Sequence, residues 1–295
     1  MTRGMGRVLA ALGATVVVTG AALTPTAAAT SRGADAGRAG VLLRVPRAPG
    51  SRATGLCQAC SYNWSGYAQV ASRRHTFTEV TDSFVVPTVT ASAAGEQMAA
   101  DWVGIGGWSD GTLVQAGIET DAVTVDGQTS VTYGAWTEVL PQAERPMTMT
   151  VEAGDTVTVT IAEVSRNEWR MEVQDGAQIG QRTVRSQARG LSAEAIHERP
   201  CIAAHCGDPQ SLATLAQTSD VTFGPGSVSE TAPGLVPETL PLLGTVPGAT
   251  LHLVSMVGDD GVTALAVPSA PDAAGVAFTV ADGAVAPPAP SDTAA

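Results

Sequence analysis

The sequence predicts an all-β protein, an antiparallel β-sandwich of two packed sheets. Three observations point there. Short runs of alternating apolar and polar residues recur between turn residues along most of the 295-residue chain. Glycine (32) and proline (18) are plentiful, which favours turns over long helices. Only "SLATLAQTS" at 211–219 has the makings of a short helical turn.

The elements follow in chain order. Arg3 and Arg7 precede the apolar run "VLAALGATVVVTGAAL" and the small-residue stretch "TPTAAAT". This is the layout of a secretory signal peptide, residues 1–29, with cleavage near Ala28 or Ala29. The run is short for a bilayer span of ~20 residues. The mature chain is therefore expected to be extracellular, off the membrane and monomeric. Residues 30–56 are rich in Gly, Ala and Arg and read as a basic pro-segment or linker. Residues 57–283 read as one sandwich domain. Its strands include "YNWSGYAQVA", "HTFTEVTDSFVVP", "DWVGIGG", "TLVQAGIE", "VTYGAWTEVLP", "TVTVTIAEV" and "EWRMEVQD". Residues 284–295, "AVAPPAPSDTAA", read as a disordered tail.

Charge narrows the function. There is no lysine, and seven of the 16 arginines precede residue 53. From there on, nine arginines meet 27 acids, a formal charge of −18. Such a surface repels nucleic acid and anionic lipid. Its self-repulsion fades at about pH 3–4, where most carboxylates protonate. Cys57, Cys60, Cys201 and Cys206 are expected to form disulfides in an exported chain, with three connectivities open. A zinc site built from these cysteines with His197 or His205 is the sharper alternative.

Alternation assigns faces to three strands. Trp102, Gly104 and Gly106 share a face opposite Val103 and Ile105. Leu113, Gln115, Gly117 and Glu119 share one opposite Val114, Ala116 and Ile118. Gly134, Trp136, Glu138 and Leu140 share one opposite Tyr133, Ala135 and Val139. One face is aliphatic and suits the core. The other carries tryptophans, glycines, a glutamine and two glutamates, as a cleft for an extended polymer would, with glycines leaving room for a ligand. A simply solvated face is the competing reading.

Common catalytic motifs do not fit. "GWSDG" at 107–111 matches G-x-S-x-G, but a strand follows where a nucleophile elbow needs a helix. There is no HExxH and no Walker loop. "NWS" at 63–65 is formally a glycosylation sequon, but its place at a strand start beside a tryptophan favours a structural role.

Taken together, "SYNWSGYAQV", "DSFVVPTV", "ADWVGIGGWSDGTLVQAGIE", "YGAWTEVLP", "SAEAIHERP" and "DVTFG" resemble, in order and spacing, the eqolisins, or glutamic peptidases. The resemblance implies a concanavalin-like sandwich and an endopeptidase active at acid pH on polypeptide substrates, with no cofactor and no metal. It implies a catalytic pair, Gln115 in "LVQAG" and Glu198 closing "AEAIHE", where Glu194 lies four residues earlier. It implies substrate-cleft roles for Trp64 and Trp102, and places family carboxylates at Glu119 and Glu138; Trp136 joins them on the cleft face. Gly106, Leu140 and His197 depart from the family pattern, which usually has an aspartate, a tyrosine and an aliphatic residue there.

The chemistry suits the pair. A glutamate near its reference pKa of ~4.3 is part-ionised at acid pH and can take and return a proton. A glutamine amide can donate to an oxyanion without changing charge with pH. Two other functions fit the same face: a non-catalytic binding module for polysaccharide or peptide, and a glycosidase using two of Glu119, Glu138 and Glu198. The basic stretch before residue 53 is expected to sit against the acidic domain at neutral pH and leave it as carboxylates protonate.

Overall fold

The structure, a computed structural model, describes residues 59–291 apart from 73, 74, 92, 110, 204, 205, 233 and 235, together with Leu42 and Arg44. Residues 1–29, read above as a signal peptide, nearly all of the basic stretch, Cys57, His205 and the last four residues of the chain lie outside the described residues.

The described residues form nineteen strands. The first seven are β1 (Ala59–Ser61), β2 (Trp64–Ala71), β3 (Thr76–Val85), β4 (Val89–Ala91), β5 (Gly95–Gly106), β6 (Leu113–Val125) and β7 (Gln128–Val139). The next five are β8 (Arg145–Pro146), β9 (Thr156–Ser165), β10 (Glu168–Asp175), β11 (Gln178–Arg185) and β12 (Ser192–Glu198). The last seven are β13 (Gln217–Thr218), β14 (Val221–Phe223), β15 (Ser227–Thr231), β16 (Glu238–Pro241), β17 (Ala249–Val257), β18 (Ala264–Pro268) and β19 (Phe278–Asp282).

One layer runs β7–β6–β5–β12–β2–β17, every neighbour antiparallel. The other runs β16–β15–β3–β9–β10–β11, also antiparallel. Strands β14, β19 and β18 link β3 to β17, so the hydrogen-bonded ladder passes from one layer to the other. The layers pack with β3 and β9 against β5, β9 and β10 against β6, and β3 against β12. Between them lies the aliphatic and aromatic core: Val103, Ile105, Val114, Ala116 and Ile118 from one side, Val157, Val159, Ile161, Trp169 and Met171 from the other. Alternation produces this directly. On the outer side of the second layer, Thr81 and Thr160 bond hydroxyl to hydroxyl at 3.0 Å, as do Ser83 and Thr158 at 2.8 Å.

The helical turn is shorter and earlier than the sequence suggested. It covers Pro209–Ser211, capped by the Asp208 side chain. Leu212 is extended and bridges Cys201, because this segment pairs with the chain after β12 rather than coiling. "GWSDG" is the turn between β5 and β6, and Ser109 is exposed on it. Cys201 pairs with Cys206 in a disulfide, which leaves neither thiolate for zinc; Cys60 is also disulfide-bonded. Among the described residues no helix is long and apolar enough to cross a membrane.

Asp126 and Gly127 set the register of the β6–β7 hairpin. Both have positive φ (53° and 76°), as a two-residue turn matching the strand twist requires. With Val125 opposite Gln128, counting back along both strands brings Gln115 opposite Glu138. A Cβ at Gly127 meets nothing within 4 Å, so substitution there tests backbone strain alone. Gly127→Val is expected to cost about 1–2 kcal/mol, read as a lower Tm in thermal denaturation. An unchanged Tm would mean that the turn does not constrain the hairpin.

Candidate active site

The second face of the first layer is as buried as the core. Trp64, Ala68, Ala100, Trp102, Trp108, Leu113, Trp136, Leu140, Ile196 and Val254 form a separate apolar cluster there. The face is therefore not solvated, and Gln115 is a buried amide, 1 % exposed. The glycines of this face mostly make room for the chain itself. A Cβ at Gly117 would collide with the Asp101 carbonyl oxygen, and one at Gly104 would lie 2.9 Å from Trp102 Cζ3. Only Gly134 faces open space.

The ladders arrange the candidate residues in transverse rows. Glu194, Gly104, Gln115 and Glu138 lie side by side across β12, β5, β6 and β7. The next row is Ile196, Trp102, Gly117 and Trp136. The third is Glu198, Ala100, Glu119 and Gly134, with Trp64 beside Glu198 on β2. All the sequence-predicted site residues thus share one face. Gln115 and Glu198 stand two rows apart, with Trp102 in the row between.

Glu198 is held by two donors. Trp102 Nε1 donates to its Oε2 at 2.6 Å and Asn63 Nδ2 to its Oε1 at 3.1 Å. Trp64 meets Trp102 edge to face, ring centroids 5.0 Å apart. Trp64 also favours the ionised carboxylate, although its Nε1 makes no hydrogen bond of ordinary geometry. Burial outweighs these donors and pushes the Glu198 carboxyl up to about 8. That replaces the expectation of a glutamate near its reference value. Gln115 Nε2 donates to Glu138 Oε2 at 2.6 Å, and its Oε1 meets no donor among the described residues. Glu119 is half-buried, while Trp64, Trp102, Trp136 and Glu138 are buried.

Alternation sends His197 to the other side of β12. There its Nδ1 meets Asp101 Oδ1 at 2.8 Å, and Asp282 Oδ1 lies 3.7 Å from its Nε2. Burial opposes charging of the imidazole, but Asp101, Asp282 and Glu198 outweigh it and raise its pKa. Burial also raises Asp282.

At the edge of the tryptophan cluster, Leu42 packs against it. Arg44 Nη2 donates to the Trp108 carbonyl oxygen at 3.1 Å, and its guanidinium lies 4.3 Å from that ring's centroid. Trp108 also stacks on His252, centroids 4.7 Å apart.

Asn63 is the residue that sequence reasoning did not place in the site. Its sequon context hid it, and only its step before Trp64, which pairs with Glu198, could have pointed to it.

A family model for the peptidase A4 family matches residues 62–237. The chain belongs to that family. Aspergillopepsin-2 of Aspergillus niger is 32 % identical over 127 residues, 36 % of this chain and 43 % of that protein, so the match spans under half of the relative's length. Scytalido-glutamic peptidase, solved with a transition state analog inhibitor, aligns over 75 % of this chain and 98 % of its own, with a TM-score of 0.57 and 20 % identity. SCP-B, an eqolisin solved with the tripeptide Ala-Ile-His, covers the same shares with a TM-score of 0.52 and 20 % identity. At these identities the likeness establishes the peptidase A4 sandwich fold.

The titrating groups give this A4-family chain a pH signature. Glu198, Asp282 and His197 hold their protons more tightly folded than unfolded, as does Asp82, raised well above its ordinary value by burial. These four groups make the folded chain bind more protons than the unfolded one, so the stability they contribute falls as pH rises; His252, lowered by burial and by Arg44, opposes them. For Glu198 the loss runs from its unfolded value of 4.5 to about 8. Thermal denaturation from acid to mildly alkaline pH is expected to show a falling Tm, with a shallower fall in Glu198→Gln. A Tm that rises across that window would contradict these assignments.

Proposed function

We propose that this chain is a secreted endopeptidase that hydrolyses polypeptides at acid pH, with Glu198 carrying the proton and Gln115 stabilising the developing oxyanion. One observation carries the reading: a peptidase A4 chain in which Glu198 is buried between indole and amide donors on the face that also bears Gln115.

With its pKa raised, Glu198 rests protonated at acid pH. It gives that proton to the carbonyl oxygen of the scissile bond as water adds to the carbon. It takes the proton that the water sheds, which leaves a neutral diol. It then passes that proton to the amide nitrogen as the C–N bond breaks, and a diol hydroxyl proton returns to the carboxylate. Gln115 donates to the oxygen on which charge develops, and Glu138 fixes the amide from its other side. The two-row separation suits a substrate carbonyl lying between the pair, approached from opposite ends. Glu119, beside Gly134 where the face is open, is the carboxylate best placed to meet the flanking peptide.

Cleavage of a denatured protein substrate at about pH 3–4 tests the reading. Gln115→Ala is expected to lower kcat by ~10²–10³ and Glu198→Gln by at least ~10³. Wild-type activity should disappear as pH rises through the Glu198 pKa, since the proton it delivers is then lost. Proteolysis that survives both substitutions would refute the assignment. A wild-type chain that binds peptide without cutting it would be a binding module.

The basic stretch before residue 53 acts as a mask in this reading. The motivating contacts are those of Leu42 and Arg44 with the tryptophan cluster. A chain beginning at Cys57 should be more active than the full chain at roughly pH 6, where the acidic domain is still charged. Equal activity of the two would dismiss the mask.

A further inference from the structure

We propose that Asn63 is a positioning residue for Glu198, and that the Ser61 hydroxyl sets which way the Asn63 amide points. The inference rests on the reading of Glu198 as the proton carrier.

The contacts at Ser61 favour one arrangement of hydrogens. Ser61 Oγ accepts the backbone N–H of Asn63 at 3.2 Å and of Trp64 at 3.0 Å. Its single hydrogen is donated to Asn63 Oδ1 at 2.9 Å. With Oδ1 fixed on the hydroxyl, Nδ2 faces Glu198 Oε1 at 3.1 Å. The reversed amide would set N–H against O–H at Ser61, whatever the state of Glu198, and oxygen against oxygen once Glu198 is ionised. Burial leaves no solvent to relieve either clash.

The backbone reinforces this. The Asn63 carbonyl accepts the N–H of Arg199 at 2.8 Å, extending the β2–β12 ladder one step past the Trp64–Glu198 pair. Asn63 therefore stands at a fixed height beside the carboxyl that it orients. Asn63 is also 1 % exposed with its amide engaged, so the folded chain does not offer the "NWS" sequon for glycosylation.

A donor to a carboxylate favours the ionised form, so its removal should tighten the proton on Glu198. In the full chain, Asn63→Ala is expected to move the alkaline limb of the kcat profile up by about one pH unit. It should lower kcat roughly 10-fold, with little change in KM. The near-isosteric Asn63→Asp exchanges a donor for an acceptor and should move the limb at least as far, and it keeps the test alive should the alanine variant not fold. Ser61→Ala should move the limb in the same direction. The double variant Ser61→Ala/Asn63→Ala should match Asn63→Ala alone, because Ser61 acts through the amide.

Circular dichroism at the assay pH identifies the folded variants. Folded Asn63 variants with an unmoved limb would overturn the proposal, and additive effects in the double variant would overturn the part assigned to Ser61. Glu198→Gln in the same assay keeps the two readings apart. If it stays active, the proton-carrier role itself fails. If it is inactive while the Asn63 limb stays in place, only the positioning role fails.

Discussion

A carboxyl group kept away from water is the constraint around which the site is organised. An ionised carboxylate in a dry site costs several kcal/mol unless donors replace its hydration. Glu198 has two neutral donors, an indole N–H and an amide N–H, and no cation against its carboxyl oxygens among its described hydrogen-bond partners. That is enough to orient it and too little to keep it ionised, so it holds its proton up to about 8. Supplying even those donors requires the start of β2, the middle of β5 and the end of β12 to lie side by side.

Both faces of the first layer are buried, for different purposes. The inner face packs aliphatic side chains against the second layer, and their burial stabilises the sandwich. The outer face buries tryptophans, and Trp102 among them turns its indole N–H on Glu198, so it is both a packing residue and a hydrogen-bond donor to that carboxyl. Glycines make this possible by yielding space to the chain. Gly104 clears the Trp102 ring and Gly117 lets β5 and β6 approach closely. An amide and several carboxyl groups are thereby confined within an apolar surround, where each electrostatic interaction is stronger than in water.

Strand β12 carries two titrating neighbours into unlike surroundings. Glu198 meets neutral donors on the outer face, and His197 meets Asp101 and Asp282 on the other. The two share a backbone, so any shift of β12 moves both. Both prefer their protonated forms, Glu198 because of its burial and His197 because of the carboxylates around it.

Much of the fold was legible in the sequence because a strand's period of two is a local property. Val103, Ile105, Val114 and Ile118 point inward, and Trp102, Gln115 and Glu138 share the opposite face, as alternation alone indicates. Burial was not legible, since whether a face meets solvent depends on what distant segments cover it. Here Trp64 and Val254 are brought alongside it on β2 and β17, and Leu42 packs against the cluster. Nor was the partnership of Asn63 with Glu198, 135 residues apart, visible in a motif that reads as a glycosylation signal. The sequence by itself determined which side chains face together along each strand. Only the tertiary structure decided which strands lie next to each other, and therefore which carboxyl group is dry, which donors reach it and where its proton stays.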